Sequence, residues 1–292
     1  MLLLGKDVSA YLREKIAKES SQFFELSGHR PTLAVVLVGD DPASATYVAN
    51  KGKACDEVFF SHQDYKLAGN TDEKTLLTLI ETLNEDSNVD AILVQLPLPK
   101  HLNERKIINT IKPSKDVDGL NTINLGSLIT EEDGFVPCTP NGVLQLLKYY
   151  KIEISGKNVV IVGRSNIVGK PMAALLMQKG NDATVTVCHS KTKELKSITQ
   201  TADILIAAIG KPLFIKKEMV KEGAVVIDVG INRVESAATK SGYKLVGDVD
   251  FEEVKDKCSA ITPVPRGVGP MTIALLMQNT LKAAKNHFER RS

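Results

Sequence analysis

Four polar side chains in the first half of the sequence, Tyr47, Lys51, Gln95 and Asp118, are of types that bind a ligand or move protons. Tyr47 and Lys51 stand four residues apart, so on a helix they share one face while Lys53 points elsewhere. A lysine becomes a proton shuttle when partial burial lowers its pKa toward neutrality. Gln95 follows a buried apolar run and precedes Leu96-Pro97-Leu98-Pro99, the carboxyl end of a strand, where open α/β sheets place ligands. Its other reading is a backbone hydrogen bond across the proline turn. Lys115-Asp116-Val117-Asp118-Gly119 sets two acids before a glycine, as turn caps do, and lacks the further ligands that a D-x-D metal site needs. A single carboxylate there also suits the amidine-like edge of a pterin ring, from which it accepts two hydrogen bonds.

The second half carries a different chemistry. An apolar run ending at Val162 enters Gly163-Arg164-Ser165-Asn166-Ile167-Val168-Gly169-Lys170-Pro171 and then a helical stretch, Met172 to Gln178. A glycine-containing turn between strand and helix places free N–H groups where a pyrophosphate binds, although GxGxxG is here Gly163-x-Ser165 with a later Gly169. After the next strand, where an NAD enzyme sets an acid against the ribose 2′-hydroxyl, the chain reads Cys188-His189-Ser190-Lys191-Thr192. Arg164, Ser190 and Lys191 suit a 2′-phosphate instead, which favours NADP over NAD.

These residues need a scaffold, and the pattern supplies one. Residues 33–38 and 91–94 are continuously apolar, as strands covered on both faces are. Helical spacing runs from Ser44 to Val58, started by Asp41 and Pro42, and from Glu73 to Asn84. Strands are expected again at 159–162, 184–187, 204–207 and 224–227, the βαβ rhythm of a nucleotide-binding sheet. Residues 133–140 form a boundary, followed by a helix from Asn141 to Tyr150, and a last helix runs from Met271 to Asn286. The fold class is α/β with a parallel sheet.

Composition narrows the function. With 37 Lys+Arg against 35 Asp+Glu, the chain lacks the basic excess of a nucleic-acid binder. Its apolar runs are too short to span a bilayer, and Leu2-Leu3-Leu4 is too short for a signal-peptide core. The four cysteines, Cys55, Cys138, Cys188 and Cys258, show neither metal-ligand spacing nor a disulfide pattern. A soluble, cytoplasmic, metal-free protein that binds small molecules is expected.

Six segments together resemble one family, the bifunctional methylenetetrahydrofolate dehydrogenase/methenyltetrahydrofolate cyclohydrolases. They are Tyr47-Val-x-x-Lys51, Val94-Gln-Leu-Pro-Leu-Pro99, Lys115-Asp-Val-Asp-Gly119, Gly163 to Pro171, Asp228-Val-Gly-Ile-Asn232, and Thr262-Pro-Val-Pro265 with Gly267-Val-Gly-Pro-Met-Thr272. The resemblance implies a folate-binding domain over residues 1–140, completed by the helix 271–292. It implies a Rossmann-like NADP-binding domain over 141–270, a cleft between the two, and a homodimer. The activity it implies belongs to one-carbon metabolism: hydride transfer from 5,10-methylenetetrahydrofolate to NADP⁺, then hydrolysis of the methenyl product to 10-formyltetrahydrofolate. Carried over residue by residue, Lys51 is the general acid/base, Tyr47 packs on the folate, Gln95 holds Lys51, and Asp118 binds the pterin. Gly163, Arg164, Ser165, Ser190 and Ile231 contact NADP, while Pro263 and Gly267 lie on the segment that borders folate and nicotinamide.

Two positions depart from the family pattern. Arg266 and Phe59 stand where glycine is usual, which strains them if those positions need φ > 0. Shikimate-type dehydrogenases and a non-catalytic NADP-binding regulator are the competing readings. The former account for neither the Asp118 segment nor the proline-rich 262–272 loop, and the latter leaves Tyr47, Lys51, Gln95 and Asp118 without a purpose.

Overall fold

The computed structural model describes residues 1–236, 239 and 242–289, and of Ala43 only the backbone. In chain order the first elements are α1 (Gly5–Ser27), β1 (Thr32–Val38), α2 (Pro42–Glu57), β2 (Ser61–Leu67), α3 (Glu73–Glu85), β3 (Ala91–Val94), α4 (Glu104–Thr110) and α5 (Thr122–Thr130). There follow α6 (Cys138–Tyr149), β4 (Asn158–Val162), α7 (Gly169–Met177), β5 (Thr184–Cys188), α8 (Leu195–Thr199), β6 (Ile204–Ala207) and β7 (Val225–Asp228). The last are β8 (Asn232–Glu235), β9 (Tyr243–Val246), α9 (Phe251–Val254), β10 (Ala260–Ile261) and α10 (Val268–Glu289).

The chain divides into two compact units, one of residues 10–138 with 273–292 and the other of residues 1–9 with 139–272. Backbone pairing holds residues 1–9 to the latter: Leu3 donates to the Ile261 carbonyl and Ile261 to that of Met1, at 2.9 and 3.0 Å. Residues 290–292, the end of the expected C-terminal helix, lie outside the described residues.

In the unit of residues 10–138, three parallel strands take the order β2-β1-β3. β1 is buried at all seven positions, as its unbroken apolar run predicts. Ala34, Val36 and Val38 pack with Leu76, Ile80 and Leu83 of α3, whose start is capped by Asp72 accepting from the Thr75 amide. β2 is a mostly polar edge strand exposed at alternate positions, with Tyr65 and Leu67 packed against the core, and sequence pattern did not reveal it. α2 starts as expected, with Asp41 accepting from the Ser44 amide and Pro42 in the first turn.

In the other unit, five parallel strands run β10-β7-β6-β4-β5. The chain leaves β4 for β5 on one side and returns to β6 on the other, so the topological switch point lies at β4. Loops after β4, β5, β6, β7 and β10 all leave this sheet at its carboxyl edge. Between the sheet and its covering segments lie Val160, Val162, Leu205, Ala207, Val226 and Val254, a buried apolar cluster that fixes those strand ends. Strands β8 and β9 form a separate antiparallel ribbon.

Both departures from the family pattern sit in the left-handed region, Phe59 at φ 61° and Arg266 at φ 87°. Phe59 follows α2, and the Phe60 amide donates back to the Cys55 carbonyl at 2.9 Å, a helix end normally built on glycine. A non-glycine residue in that conformation costs about 1 kcal/mol.

Candidate active site

α2 buries the stripe Ser44, Val48, Lys51 and Cys55, so Lys51 sits where a core residue is expected. Its side chain is only 8% exposed. Nζ donates to Gln95 Oε1 at 2.7 Å, and Gln95 Nε2 donates to the Leu96 carbonyl at 2.6 Å. The second bond fixes which end of the amide faces the lysine. A neutral partner satisfies the amine without favouring its charge, and burial lowers the Lys51 pKa, with Asp118 opposing that shift. Tyr47, one turn earlier, is exposed. Gly52 lets α2 lie close to β2, since a Cβ there would stand 3.0 Å from His62 Nε2.

The segment Lys115–Gly119 separates into three roles. Lys115 is buried and donates to the Leu83 and Asp86 carbonyls at 2.9 and 2.7 Å, which ends α3. Asp116 is also buried and accepts from the Asn121 amide at 2.7 Å and Asn124 Nδ2 at 2.8 Å. Turn capping therefore describes Asp116. Asp118 is partly buried; burial raises its pKa, while Lys51 and the Cys138 thiol oppose the rise. Gly119 turns the chain at φ 72°, where a Cβ would meet the Phe135 carbonyl at 2.6 Å. Lys51 and Asp118 are thus mutually attracted groups whose neutral forms burial favours, which suits a site that exchanges protons.

Two residues here escaped the sequence reading. Cys138 is buried, donates to the Val117 carbonyl at 3.3 Å and has its thiol pKa pushed well up by burial, so it is no thiolate nucleophile. Asn279 on α10 donates to the Val117 and Val136 carbonyls at 2.8 and 3.1 Å, pinning the turn that carries Asp118. Their signal is tertiary: neither has a local motif.

Asp116 carries a testable pH dependence. Burial pushes its carboxyl up to about 6, so the folded state holds its proton more tightly than the unfolded chain does. The stabilisation is complete below the ordinary carboxylate range near 4 and is lost as pH rises through about 6. Denaturant titrations from pH 4 to 7 should show a decline, on the order of 2 kcal/mol from this residue, that Asp116→Asn removes. An unchanged slope in the variant would contradict the assignment.

The expected cofactor residues lie in the other unit, around the switch point. The Gly163 amide donates to the Cys188 carbonyl at 2.9 Å, so the loops bearing Arg164 and Ser190 leave adjacent strand ends. Gly163 is at φ 130°, and a Cβ there would stand 2.1 Å from the Ala208 carbonyl. Arg164, Ser165, Ser190 and Lys191 are exposed, and no carboxylate occurs from 188 to 192. Ile231, 45% exposed, follows β7, and Pro263 and Gly267 follow β10 in this same unit.

One expectation for this loop needs correcting. The first amides of α7 are not all free for a phosphate: Ser165 Oγ accepts from the Val168 and Gly169 amides at 3.2 and 3.4 Å, and Pro171 has no N–H. Ser165 caps the helix from inside the loop, and residues 164–167 are exposed.

Among the described residues, no cluster of three or more His, Cys, Asp or Glu side chains is placed to hold a metal. Nor is any helix among them long and apolar enough to cross a membrane.

Known proteins resemble the chain along its whole length. Residues 3–118 match the tetrahydrofolate dehydrogenase/cyclohydrolase catalytic domain, and residues 137–288 match the NAD(P)-binding domain of the same family. A bifunctional protein FolD from Campylobacter hominis is 57% identical over 289 residues, covering 99% of each chain. The crystal structure of a bifunctional FolD methylenetetrahydrofolate dehydrogenase/cyclohydrolase from Campylobacter jejuni superposes with a TM-score of 0.92 at 52% identity, covering 98% of this chain and 99% of that one. A Trypanosoma brucei methylenetetrahydrofolate dehydrogenase-cyclohydrolase, solved with NADP and an inhibitor, gives a TM-score of 0.93 at 38% identity, covering 100% of this chain and 98% of that one.

Proposed function

The chain belongs to the tetrahydrofolate dehydrogenase/cyclohydrolase family, and from that premise we propose how its residues divide the work of two reactions. It is a bifunctional enzyme of one-carbon metabolism that oxidises 5,10-methylenetetrahydrofolate with NADP⁺ and hydrolyses the methenyl product to 10-formyltetrahydrofolate. The observation that carries the assignment of roles is the buried Lys51 bonded to the neutral Gln95 amide.

In this reading, Asp118 anchors the pterin edge by accepting its N–H groups, and Tyr47 packs on the folate ring system. Residues 10–138 with the C-terminal helix would form the folate domain, and residues 139–272 with the first nine would form the cofactor domain. The Gly163 turn, exposed cations and the absence of a carboxylate from residues 188 to 192 fit a dinucleotide carrying a 2′-phosphate. Arg164 and Ser190 would hold that phosphate, Gly163 and Ser165 the pyrophosphate side, and Ile231 the nicotinamide side. Pro263 and Gly267, on the loop after β10, would lie on the nicotinamide side. Bound NADP⁺ supplies the hydride acceptor. The folate's own nitrogen lone pair drives hydride loss, so for that step the protein supplies alignment.

Hydrolysis asks more of the side chains. Water adds to the cationic methenyl carbon, and a proton must leave that water. The bond from this carbon to N5 then breaks, N5 takes a proton, and the added hydroxyl releases its own proton to solvent as the formyl C=O forms. Neutral Lys51 accepts the first proton and, as the ammonium, returns one to the departing nitrogen. Gln95 keeps the amine aimed in both charge states because its Oε1 accepts from either form. We further propose a cytoplasmic homodimer, which light scattering on the purified protein tests: the mass of one chain would contradict it.

Cofactor preference provides a separate test of the Arg164 role. Arg164→Ala should raise KM for NADP⁺ and leave that for NAD⁺ nearly unchanged, narrowing the preference by about tenfold. Steady-state kinetics with both dinucleotides read this directly. Equal use of NAD⁺ by the unaltered protein would overturn the reading of the loop.

A further inference from the structure

Two buried acids in the unit of residues 139–272 have no part in the chemistry described so far. Asp228 ends β7 at 3% exposure, and Asp248 follows β9 at 0%. The Asp228 carboxylate accepts from the Gly230, Asp248 and Val249 amides, each at 2.9 Å. Asp248 accepts from the Ile209 and Gly210 amides at 2.6 and 2.9 Å and from Asn232 Nδ2 at 2.9 Å. Two glycines make room for them: a Cβ at Gly230 would stand 2.3 Å from Asp248 Oδ1, and one at Gly247 would stand 1.8 Å from Asp228 Oδ2.

Apart from Asn232, which begins β8, these partners belong to loops at or beside the carboxyl edge of the sheet. Residues 209–210 follow β6, residues 230–232 follow β7, and residues 248–249 follow β9. The Asp228 amide donates in turn to Thr262 Oγ1 at 2.7 Å, which brings in the segment after β10. Two acids buried side by side are expensive for folding, and apolar residues would fill the volume more cheaply. What the acids provide instead is six directed hydrogen bonds that fix loop geometry.

We propose that Asp228 and Asp248 are positioning residues for the dinucleotide, setting the loops after β6 and β7 so that Ile231 and its neighbours meet the cofactor. The inference rests on the reading that NADP binds at this edge. Burial, helped by Asp248, pushes the Asp228 carboxyl up to about 7, which limits the negative charge that the pair sets beside an anionic ligand. The hydrolytic step uses no dinucleotide, and none of the six carboxylate bonds reaches residues 262–272, so it does not depend on them.

The bifunctional enzyme itself supplies the test. The full-length Asp248→Ala protein should show a KM for NADP⁺ raised about tenfold or more, because two loop amides lose a charged acceptor. Its hydrolysis of supplied 5,10-methenyltetrahydrofolate without NADP should stay within about twofold of the parent rate, since that site carries none of these bonds. Asp248→Asn should recover most of the KM, because its oxygen can face Ile209 and Gly210 while its amide nitrogen faces a flipped Asn232. A purely structural role would lower both activities together and overturn the proposal. Should Asp248→Ala not fold, Asn232→Ala removes one bond only, and an unchanged KM for NADP⁺ would be equally fatal. Arg164→Ala, measured alongside, separates two failures. If it raises KM while Asp248→Ala does not, the positioning role fails and the cofactor site stands; if neither does, the site itself is misplaced.

Discussion

Asp118→Asn should depress both activities together, by about 10²-fold or more in kcat/KM for the folate. The substitution keeps size and shape but turns one acceptor oxygen into a donor, facing the donors of the pterin edge. A site built to hydrogen-bond its ligand suffers most when a buried partner is left opposed. The turn itself should survive, because Asn279 holds it through the Val117 and Val136 carbonyls and not through Asp118. The effect should therefore appear in kinetics with little loss of melting temperature. Restoration of activity by an added divalent cation, or loss of only one of the two activities, would contradict the assignment.

Lys51→Met should instead separate the reactions. Methionine keeps much of the stem that α2 buries and removes the amine. A lysine at its ordinary pKa of about 10.4 is almost wholly protonated at neutral pH and is a poor base. Burial lowers Lys51 from that value, and Gln95 offers no negative charge to restore it. Loss of a general acid/base costs about 10²- to 10⁴-fold, so hydrolysis of methenyltetrahydrofolate should fall by that much. NADPH formation should persist at a reduced level, since folate alignment also suffers. The pH profile gives a further check: the parent's hydrolysis rate should rise with pH as Lys51 loses its proton, and the variant should lack that limb.

Much of this architecture was readable in the sequence, and the failures have physical causes. β1 and β3 announce themselves because strands covered on both faces are continuously apolar. β2 does not, because an edge strand needs few apolar positions; Ser61–Leu67 reads as a polar loop until β1 pairs with it. β10 is two residues long and gains meaning only beside β7. Lys51 was legible from its spacing to Tyr47 and was expected to be buried; what only the structure shows is that it lies on a stripe of α2 that otherwise packs. Of the two acids at 116 and 118, spacing could not say which caps the turn; Asn121 and Asn124 decide it for Asp116. Asp248 carries no local motif at all, and its role comes from loops that only the folded sheet assembles.

The central claim is that one bound folate passes through both steps and that Lys51 acts in the second. The most direct measurement gives purified Lys51→Met protein 5,10-methylenetetrahydrofolate and NADP⁺, and follows NADPH, the methenyl intermediate and 10-formyltetrahydrofolate in one reaction, beside the parent protein. The account predicts NADPH matched by accumulating methenyltetrahydrofolate, with formyl product rising only at the uncatalysed rate, whereas the parent accumulates formyl product. Formyl product keeping pace with NADPH in the variant would contradict it.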